Sequence, residues 1–288
     1  VTAQVLDGEL VAAAVRAEVA GRAAALAQRG VTPGLGTLLV GDDGPSARYV
    51  AMKQQDCAAV GIASHHVQLP ADASQSDVLK VVARFNADPA VDAYIMQYPF
   101  PAHLDYEAAL LAMDPAKDAD GLHPVNLGRL VQGVPSVLPC TPAGILRLLG
   151  DHGVTLAGKH VVIIGRGLTI GRPLANLVTL KRPDANAAVT VVHTGVADIA
   201  PLVRTADVIV AAAGSPGLVT ADMVAPGAVV VAAGVSFTDG KVVSDVDDGV
   251  AEVASWLSPR IGGVGPMTRA MLLVNTVAAA EAALDGPA

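Results

Sequence analysis

An apolar run, His160–Ile164, leads directly into Gly165-Arg166-Gly167-Leu168-Thr169-Ile170-Gly171, and a helical pattern follows. A strand that enters a glycine turn and leaves it as a helix is the opening of a parallel βαβ unit, so this succession constrains the fold most tightly. The glycines permit a tight turn and let the backbone approach a pyrophosphate. The helix N-terminus adds N–H donors and a positive dipole end. The spacing is one residue longer than G-x-G-x-x-G, and without its flanks the turn would be an ordinary one. With them, Gly165, Arg166, Gly167, Thr169, Ile170 and Gly171 read as a dinucleotide cradle. Further strands at 188–193, 207–213 and 228–232 alternate with helices at 171–181, 197–205 and 220–224. The second strand ends Val191-Val192-His193-Thr194, with no carboxylate to bond a ribose 2′-hydroxyl as NAD sites often do. Arg166, with Thr194 and His193 as further polar contacts, suits a 2′-phosphate, so the expected cofactor is NADP. The plain alternative for Arg166 is a solvated surface residue.

The first half alternates in the same way. Helices are expected at 8–29, 46–60, 74–86 and 104–113, and strands at 37–40, 65–69 and 91–97. Ser46 reads as the N-cap of the second of these helices. From Asp114 to Pro142 the chain is rich in Pro, Gly, Asp and Asn, which reads as a functional loop and hinge. A break at Gly262-Gly263-Val264-Gly265-Pro266 precedes a last helix at 268–284. The 288 residues suit one large or two medium domains. With 52% hydrophobic residues but only three Phe, four Tyr and one Trp, the core is Ala, Val and Leu, as parallel strands under helices require.

Composition also excludes functions. A net charge of −8 with no basic run argues against nucleic-acid binding. Cys57 and Cys140 lack companions at metal spacing, so neither a metal site nor a disulfide framework is expected. The longest apolar stretch, Gly227 to Val235, is too short to span a membrane. A soluble cytoplasmic protein is expected.

Tyr49 and Lys53 are four residues apart in a predicted helix and so share a face. Burial can lower a lysine's pKa toward neutrality and make it a proton shuttle. A tyrosine ring can stack on a heteroaromatic ligand. For an isolated Tyr-x-x-x-Lys, a surface Lys beside a half-buried Tyr is the simpler reading. Gln97 ends an apolar strand, before Tyr98-Pro99-Phe100-Pro101, at the edge where ligands of open α/β sheets bind. Asp118 and Asp120 could each accept hydrogen bonds from an amino-pyrimidine edge or cap a turn. A short-chain dehydrogenase with a Tyr–Lys pair would place its glycine turn near the N-terminus, ahead of that pair. Here the order is reversed.

Taken together, these segments resemble the bifunctional methylenetetrahydrofolate dehydrogenase/methenyltetrahydrofolate cyclohydrolase family over nearly the whole chain. The resemblance rests on Ser46-x-x-Tyr49-Val50-x-x-Lys53, Gly61-Ile62, Gln97-x-Pro99-x-Pro101 and Pro115-x-Lys117-Asp118-x-Asp120-Gly121. It continues through Asn126-x-Gly128-Arg129-Leu130, Pro139-Cys140-Thr141-Pro142-x-Gly144, the glycine turn with Arg172-Pro173, and Gly262-Gly263-Val264-Gly265-Pro266-Met267-Thr268. It implies an α/β protein of two domains. An N-terminal three-layer folate-site domain, 1–139, is joined by the C-terminal helix 267–288. A Rossmann-type NADP domain spans 140–266, with a cleft between the two. It implies Lys53 as the proton-transfer residue of hydrolysis, Tyr49 stacked on the pterin, Gln97 tuning Lys53, and Asp120 on the pterin's amino-pyrimidine edge. Pro99, Gly262, Gly263 and Pro266 would shape the tetrahydrofolate pocket, and Thr141 would touch the cofactor. A homodimer is expected on the same ground.

The chemistry agrees with that inventory. In 5,10-methylenetetrahydrofolate, nitrogen lone pairs drive hydride from the carbon between them, so positioning is the main demand on the protein. Hydrolysis of the methenyl product does need a proton shuttle. The chain departs from the family pattern at Gly167 (often Ser), Gly195 (often basic), Ala232-Ala233 (often Asp-Val) and Ile261 (often Pro). These keep two alternatives open: a monofunctional cyclohydrolase, and a non-catalytic relative that binds folate or nucleotide.

Overall fold

The computed structural model describes residues 2–134, 136–238 and 241–286. In chain order the elements begin with β1 (Gln4–Val5), α1 (Gly8–Gln28), β2 (Gly34–Val40) and α2 (Gly44–Val60). Next come β3 (Ala63–Leu69), α3 (Gln75–Ala87), β4 (Ala93–Met96), α4 (Tyr106–Leu111), α5 (Pro124–Val131) and α6 (Cys140–Asp151). The second half runs β5 (His160–Ile164), α7 (Gly171–Val178), β6 (Ala188–Val192), α8 (Ala200–Val203), β7 (Val208–Ala211) and β8 (Val229–Ala232). A hairpin of β9 (Val235–Thr238) and β10 (Lys241–Ser244), then β11 (Trp256–Leu257) and α9 (Val264–Asp285), complete it. The chain forms two compact units. One comprises Val1–Ala13, Leu130–Val134 and Thr141–Thr268; the other comprises Ala14–Arg129, Pro135–Cys140 and Arg269–Ala288.

The second unit is built on a parallel sheet of order β3-β2-β4. Every residue of β2 is buried, as a central strand of apolar residues should be, whereas β3 alternates between half-buried and exposed along its edge. Two helices are capped by sequence-local devices. The Asp43 carboxylate accepts the Ser46 N–H at 3.0 Å at the start of α2, and Gly61 closes that helix in the left-handed region. Ser74 and Asp77 form a reciprocal capping box on α3. The N-cap of α2 is thus Asp43, not Ser46, because Gly44 and Pro45 already lie within the helix. Phe85, on α3, stacks at 5.2 Å on Tyr94 of β4, and both are buried with Leu38, Val78 and Val82.

The first unit carries a six-stranded parallel sheet of order β1-β11-β8-β7-β5-β6. Its central strands β7 and β8 are wholly buried, so their Val/Ile runs are core. After β5 the chain adds β6 on one side and then β7 on the other. The carboxyl end of β5 is therefore a topological switch point, where open α/β sheets hold their ligands. The same is true of β2, which has β3 on one side and β4 on the other.

Four features differ from the sequence expectation. β1 pairs with β11, so the opening residues join the larger sheet, whereas the sequence boundary put them with the N-terminal domain. A two-residue strand carries no periodicity to read. The stretch from Asp114 to Pro142 contains α5, a 3₁₀ turn at Pro115–Lys117 and the start of α6. Helix α6 itself had no counterpart in the sequence reading, and neither did the β9–β10 hairpin and β11. Helix α9 starts at Val264, inside the glycine-rich break, because Pro266 fits the first turn of a helix.

Phe85→Ala is expected to destabilise the protein by about 3–5 kcal/mol, the usual cost of emptying a buried aromatic site. Urea denaturation followed by circular dichroism measures this, and a loss below about 1 kcal/mol would contradict the packing described.

Candidate active site

Helix α2 leaves the carboxyl end of β2 and carries Tyr49 and Lys53 one turn apart. Strand β4 delivers Gln97 beside them, because the Gln97 N–H bonds the Leu38 carbonyl and continues the ladder one residue beyond β4. The Lys53 Nζ lies 3.1 Å from Gln97 Oε1 and 4.8 Å from the centroid of the Tyr49 ring. The Gln97 amide also donates to the Tyr98 carbonyl at 2.9 Å. That bond fixes which end of the carboxamide faces the amine. Lys53 is 8% exposed, so its charged form has lost most of its hydration.

Burial pushes the Lys53 pKa below its usual value. The Asp120 carboxylate and the Cys140 and Cys57 thiols pull it back up, and the Arg269 guanidinium adds to the lowering. Asp120 responds in the opposite sense: burial raises its pKa, and Lys53 lowers it. Tyr49 is pushed up to about 12 by burial and remains a neutral phenol across the working range. An amine that gives up its proton easily, beside a neutral ring, can move protons for a cationic ligand without repelling it.

Asp118 and Asp120 part company in the structure. Asp118 is 2% exposed and accepts hydrogen bonds from Gly121 N at 2.9 Å, His123 N at 2.7 Å and Asn126 Nδ2 at 2.9 Å. It organises the turn. Asp120 is half-buried on that turn, and its carboxyl is coupled to Lys53 and Cys140. Pro99 follows a cis Tyr98–Pro99 bond and is exposed. Tyr98 and Phe100 meet the Tyr106 ring at 5.3 and 5.1 Å, closing an aromatic cluster after Gln97.

Sequence reasoning missed the ion pair of Arg269 and Asp56. Arg269 Nε stands 3.0 Å from Asp56 Oδ2, with both side chains mostly buried, yet the N–H does not point along that line. Asp56 is three residues from Lys53 in α2, but a lone Asp and a lone Arg 213 positions apart give no sequence signal. Asn275 was missed for the same reason.

In the other unit, Gly165 follows β5 with φ of 120°, and a Cβ there would strike the Ala212 carbonyl. A Cβ on Gly171 would strike the Gly165 carbonyl, so α7 can start this close to the turn only with glycine at both positions. Gly167 differs: a Cβ there would meet open space, so its departure from Ser removes a hydroxyl and demands nothing of the backbone. Arg166, Gly167 and Thr169 are exposed, and Ile170 is half-buried before α7. Arg166 Nη1 comes within 3.4 Å of His193 Nε2, past the end of β6. The Gly195 N–H approaches His193 Nδ1 at 3.0 Å, so Arg166 and Gly195 present donors to opposite nitrogens of the ring. The Arg166 guanidinium and the His193 ring thus lie side by side, and the exposed Thr194 adjoins them. The donor set fits a 2′-phosphate.

Farther along the sheet edge, the buried Asp245 accepts the Ala213 and Gly214 N–H groups at 2.7 and 2.9 Å and shapes the turn after β7. Thr141 Oγ1 lies 3.0 Å from Thr268 Oγ1. Gly262 accepts the N–H groups of Gly8 and Glu9 through its carbonyl, Gly263 packs on the Pro259 carbonyl, and Pro266 lies in the first turn of α9. Among the described residues no group of His, Cys, Asp or Glu is arranged to hold a metal ion.

Residues 6–120 match the family model for the tetrahydrofolate dehydrogenase/cyclohydrolase catalytic domain, and residues 139–284 match that for its NAD(P)-binding domain. The chain is 58% identical over 280 residues to the bifunctional protein FolD of Syntrophotalea carbinolica, covering 97% of each. It is 52% identical over 279 residues to bifunctional protein FolD 1 of Salinispora tropica, covering 97% of this chain and 91% of that one. The crystal structure of the Trypanosoma brucei N5,N10-methylenetetrahydrofolate dehydrogenase-cyclohydrolase, complexed with NADP and an inhibitor, superposes with a TM-score of 0.93. That match has 38% identity and covers 99% of this chain and all of the other.

Because Lys53 is held with a lowered pKa, the unfolded chain binds its proton more tightly than the folded one, so stability tied to this group rises with pH up to about 10.5. Lys53→Met removes the dependence. Its stability relative to the parent is expected to be most favourable near pH 7 and to decline steadily toward pH 10.5. Thermal melts across that range check it; a difference independent of pH would mean the amine is not desolvated.

Proposed function

The chain belongs to the tetrahydrofolate dehydrogenase/cyclohydrolase family, and we propose that it oxidises 5,10-methylenetetrahydrofolate with NADP and hydrolyses the methenyl product to 10-formyltetrahydrofolate. The observation that carries the reading is the buried Lys53 amine, 3.1 Å from Gln97 and stacked at 4.8 Å over Tyr49. A non-catalytic relative would have no use for a lysine buried at such cost.

NADP, when bound, supplies the hydride acceptor. This chain's residues bind and orient it. The turn from Gly165 to Gly171 and the N-terminus of α7 receive the pyrophosphate, while Arg166, His193 and Thr194 receive the 2′-phosphate. Thr141 adds a hydroxyl contact. No strong base is needed for hydride loss, because the flanking nitrogens of the folate drive it.

For hydrolysis, Tyr49 stacks on the pterin and Asp120 holds its amino-pyrimidine edge. Pro99 shapes the pocket beside Gln97. Neutral Lys53 takes a proton as water adds to the methenyl carbon and returns it to the departing nitrogen. Gln97 accepts from the amine and keeps its lone pair aimed. The cationic substrate favours an uncharged lysine, and burial shifts Lys53 in that direction.

We also propose a cytoplasmic protein, on its sequence, and a homodimer, on its likeness to the family. No helix among the described residues is long and apolar enough to cross a membrane.

Lys53→Met is expected to lower the hydrolysis rate by about 10²–10⁴-fold, the usual contribution of a positioned proton shuttle, with methenyl compound still bound. Loss of the methenyl chromophore on a spectrophotometer measures it, and an unchanged rate would remove Lys53 from the reaction. Arg166→Ala is expected to raise the KM for NADP about tenfold or more, the worth of a charge-assisted hydrogen bond, and to leave the KM for NAD alone. Equal effects on both cofactors would mean Arg166 does not read the 2′-phosphate.

A further inference from the structure

Asp120 has no secondary structure of its own to hold it. It sits on a turn between Ala119, whose N–H bonds the Tyr94 carbonyl of β4, and Gly121, whose N–H bonds the Asp118 carboxylate. A second stretch of chain, Leu138 to Cys140, crosses this turn closely. A Cβ on Gly121, which has φ of 73°, would come within 2.5 Å of the Leu138 carbonyl carbon. The Cys140 N–H bonds the Asp120 carbonyl at 3.1 Å, and the Cys140 thiol points at the Ala119 carbonyl at 3.2 Å. Two irregular segments thus cross with their carbonyl dipoles crowded together, and such a crossing needs a donor that both can share.

Asn275 provides it. From α9, its single Nδ2 group donates one hydrogen to the Ala119 carbonyl at 2.9 Å and the other to the Leu138 carbonyl at 2.9 Å, with Cys140 Sγ at 3.5 Å. Both oxygen partners are pure acceptors, so the amide can face them only with its NH₂ end. One side chain therefore pins the residue before Asp120 to the residue two before Cys140.

We infer that Asn275 is a positioning residue for the folate pocket, acting through Asp120 by locking the crossing of the 118–121 turn and the 138–140 segment. The inference rests on the proposed role of Asp120 in gripping the pterin. An aspartate at position 275 keeps the shape of Asn275 while turning both donors into an acceptor that faces two carbonyl oxygens.

The test is a double-mutant cycle of Asn275→Asp and Asp120→Asn, with 5,10-methenyltetrahydrofolate as the probe in the hydrolysis assay. N275D is expected to raise the KM for this substrate at least tenfold, with kcat within threefold and the KM for NADP within twofold. In the D120N background, N275D is expected to change KM by less than twofold. An unchanged KM in N275D alone, while D120N raises it, overturns the positioning role and leaves the Asp120 assignment intact. A full multiplicative penalty in both backgrounds also overturns it, since Asn275 would then act independently of Asp120. If D120N itself keeps the parent KM, the Asp120 assignment falls and this inference with it. Should N275D fail to fold, Asn275→Ala is put through the same cycle. An insoluble N275A, or one losing NADP and folate affinity alike, means a structural role only.

Discussion

A lysine amine buried away from water is the constraint around which the N-terminal site is organised. Moving Lys53 out of solvent is unfavourable for its charged form, so the structure must either neutralise it or surround it with acceptors. It does some of each. Gln97 offers a neutral oxygen at 3.1 Å, the Tyr49 ring covers one face, and among the described residues no carboxylate hydrogen-bonds the amine. Asp120 acts on it only through its field, while its own carboxyl is pushed toward the neutral form by burial. The outcome is an amine that holds its proton less tightly, which suits chemistry on a cation. Nearby, Arg269 adds to the lowering of the Lys53 pKa, and its Nε and the Asp56 Oδ2 lie 3.0 Å apart without an aligned hydrogen bond.

The two parallel sheets place their functional residues by the same rule. In each, the chain adds strands on both sides of one strand, β2 in the smaller sheet and β5 in the larger, and the carboxyl end of that strand becomes a crevice edge. At β2 this edge carries α2 and meets Gln97 from β4; at β5 it carries the glycine turn and meets His193 from beyond β6. The smaller sheet presents the side chains of Lys53 and Gln97 at that edge. The larger presents a glycine turn and the exposed Arg166. The difference follows from the residues, since Gly165 and Gly171 strip away the side chains that would block the backbone.

Much of this was legible in the sequence because it is local. The strand–turn–helix at 160–178, the shared face of Tyr49 and Lys53, and the missing carboxylate after β6 all need only neighbours in the chain. The choice between Asp118 and Asp120 was not legible. Both sit in one short turn, and only the fold shows that Asp118 is consumed by three donors while Asp120 is not part of that network. Asn275 and Arg269 were invisible because their partners lie more than 130 positions away. Helix α5 was hidden by the polar, proline-rich texture around it, although Asn126 within it is needed to bond Asp118. Strand β1 was too short to show a period. Gly195 reads as a loss of charge in sequence, yet in the fold its N–H orients the His193 ring.

The central claim is that burial makes the Lys53 amine hold its proton less tightly than a free lysine does. Its most direct test is an NMR titration of protein carrying ¹³Cε-labelled lysine, with the Lys53 signal identified by its absence from Lys53→Met. The account predicts a midpoint clearly below the usual 10.5 of the free side chain. A midpoint at or above that value would show the amine to be a charged surface group and would contradict the account.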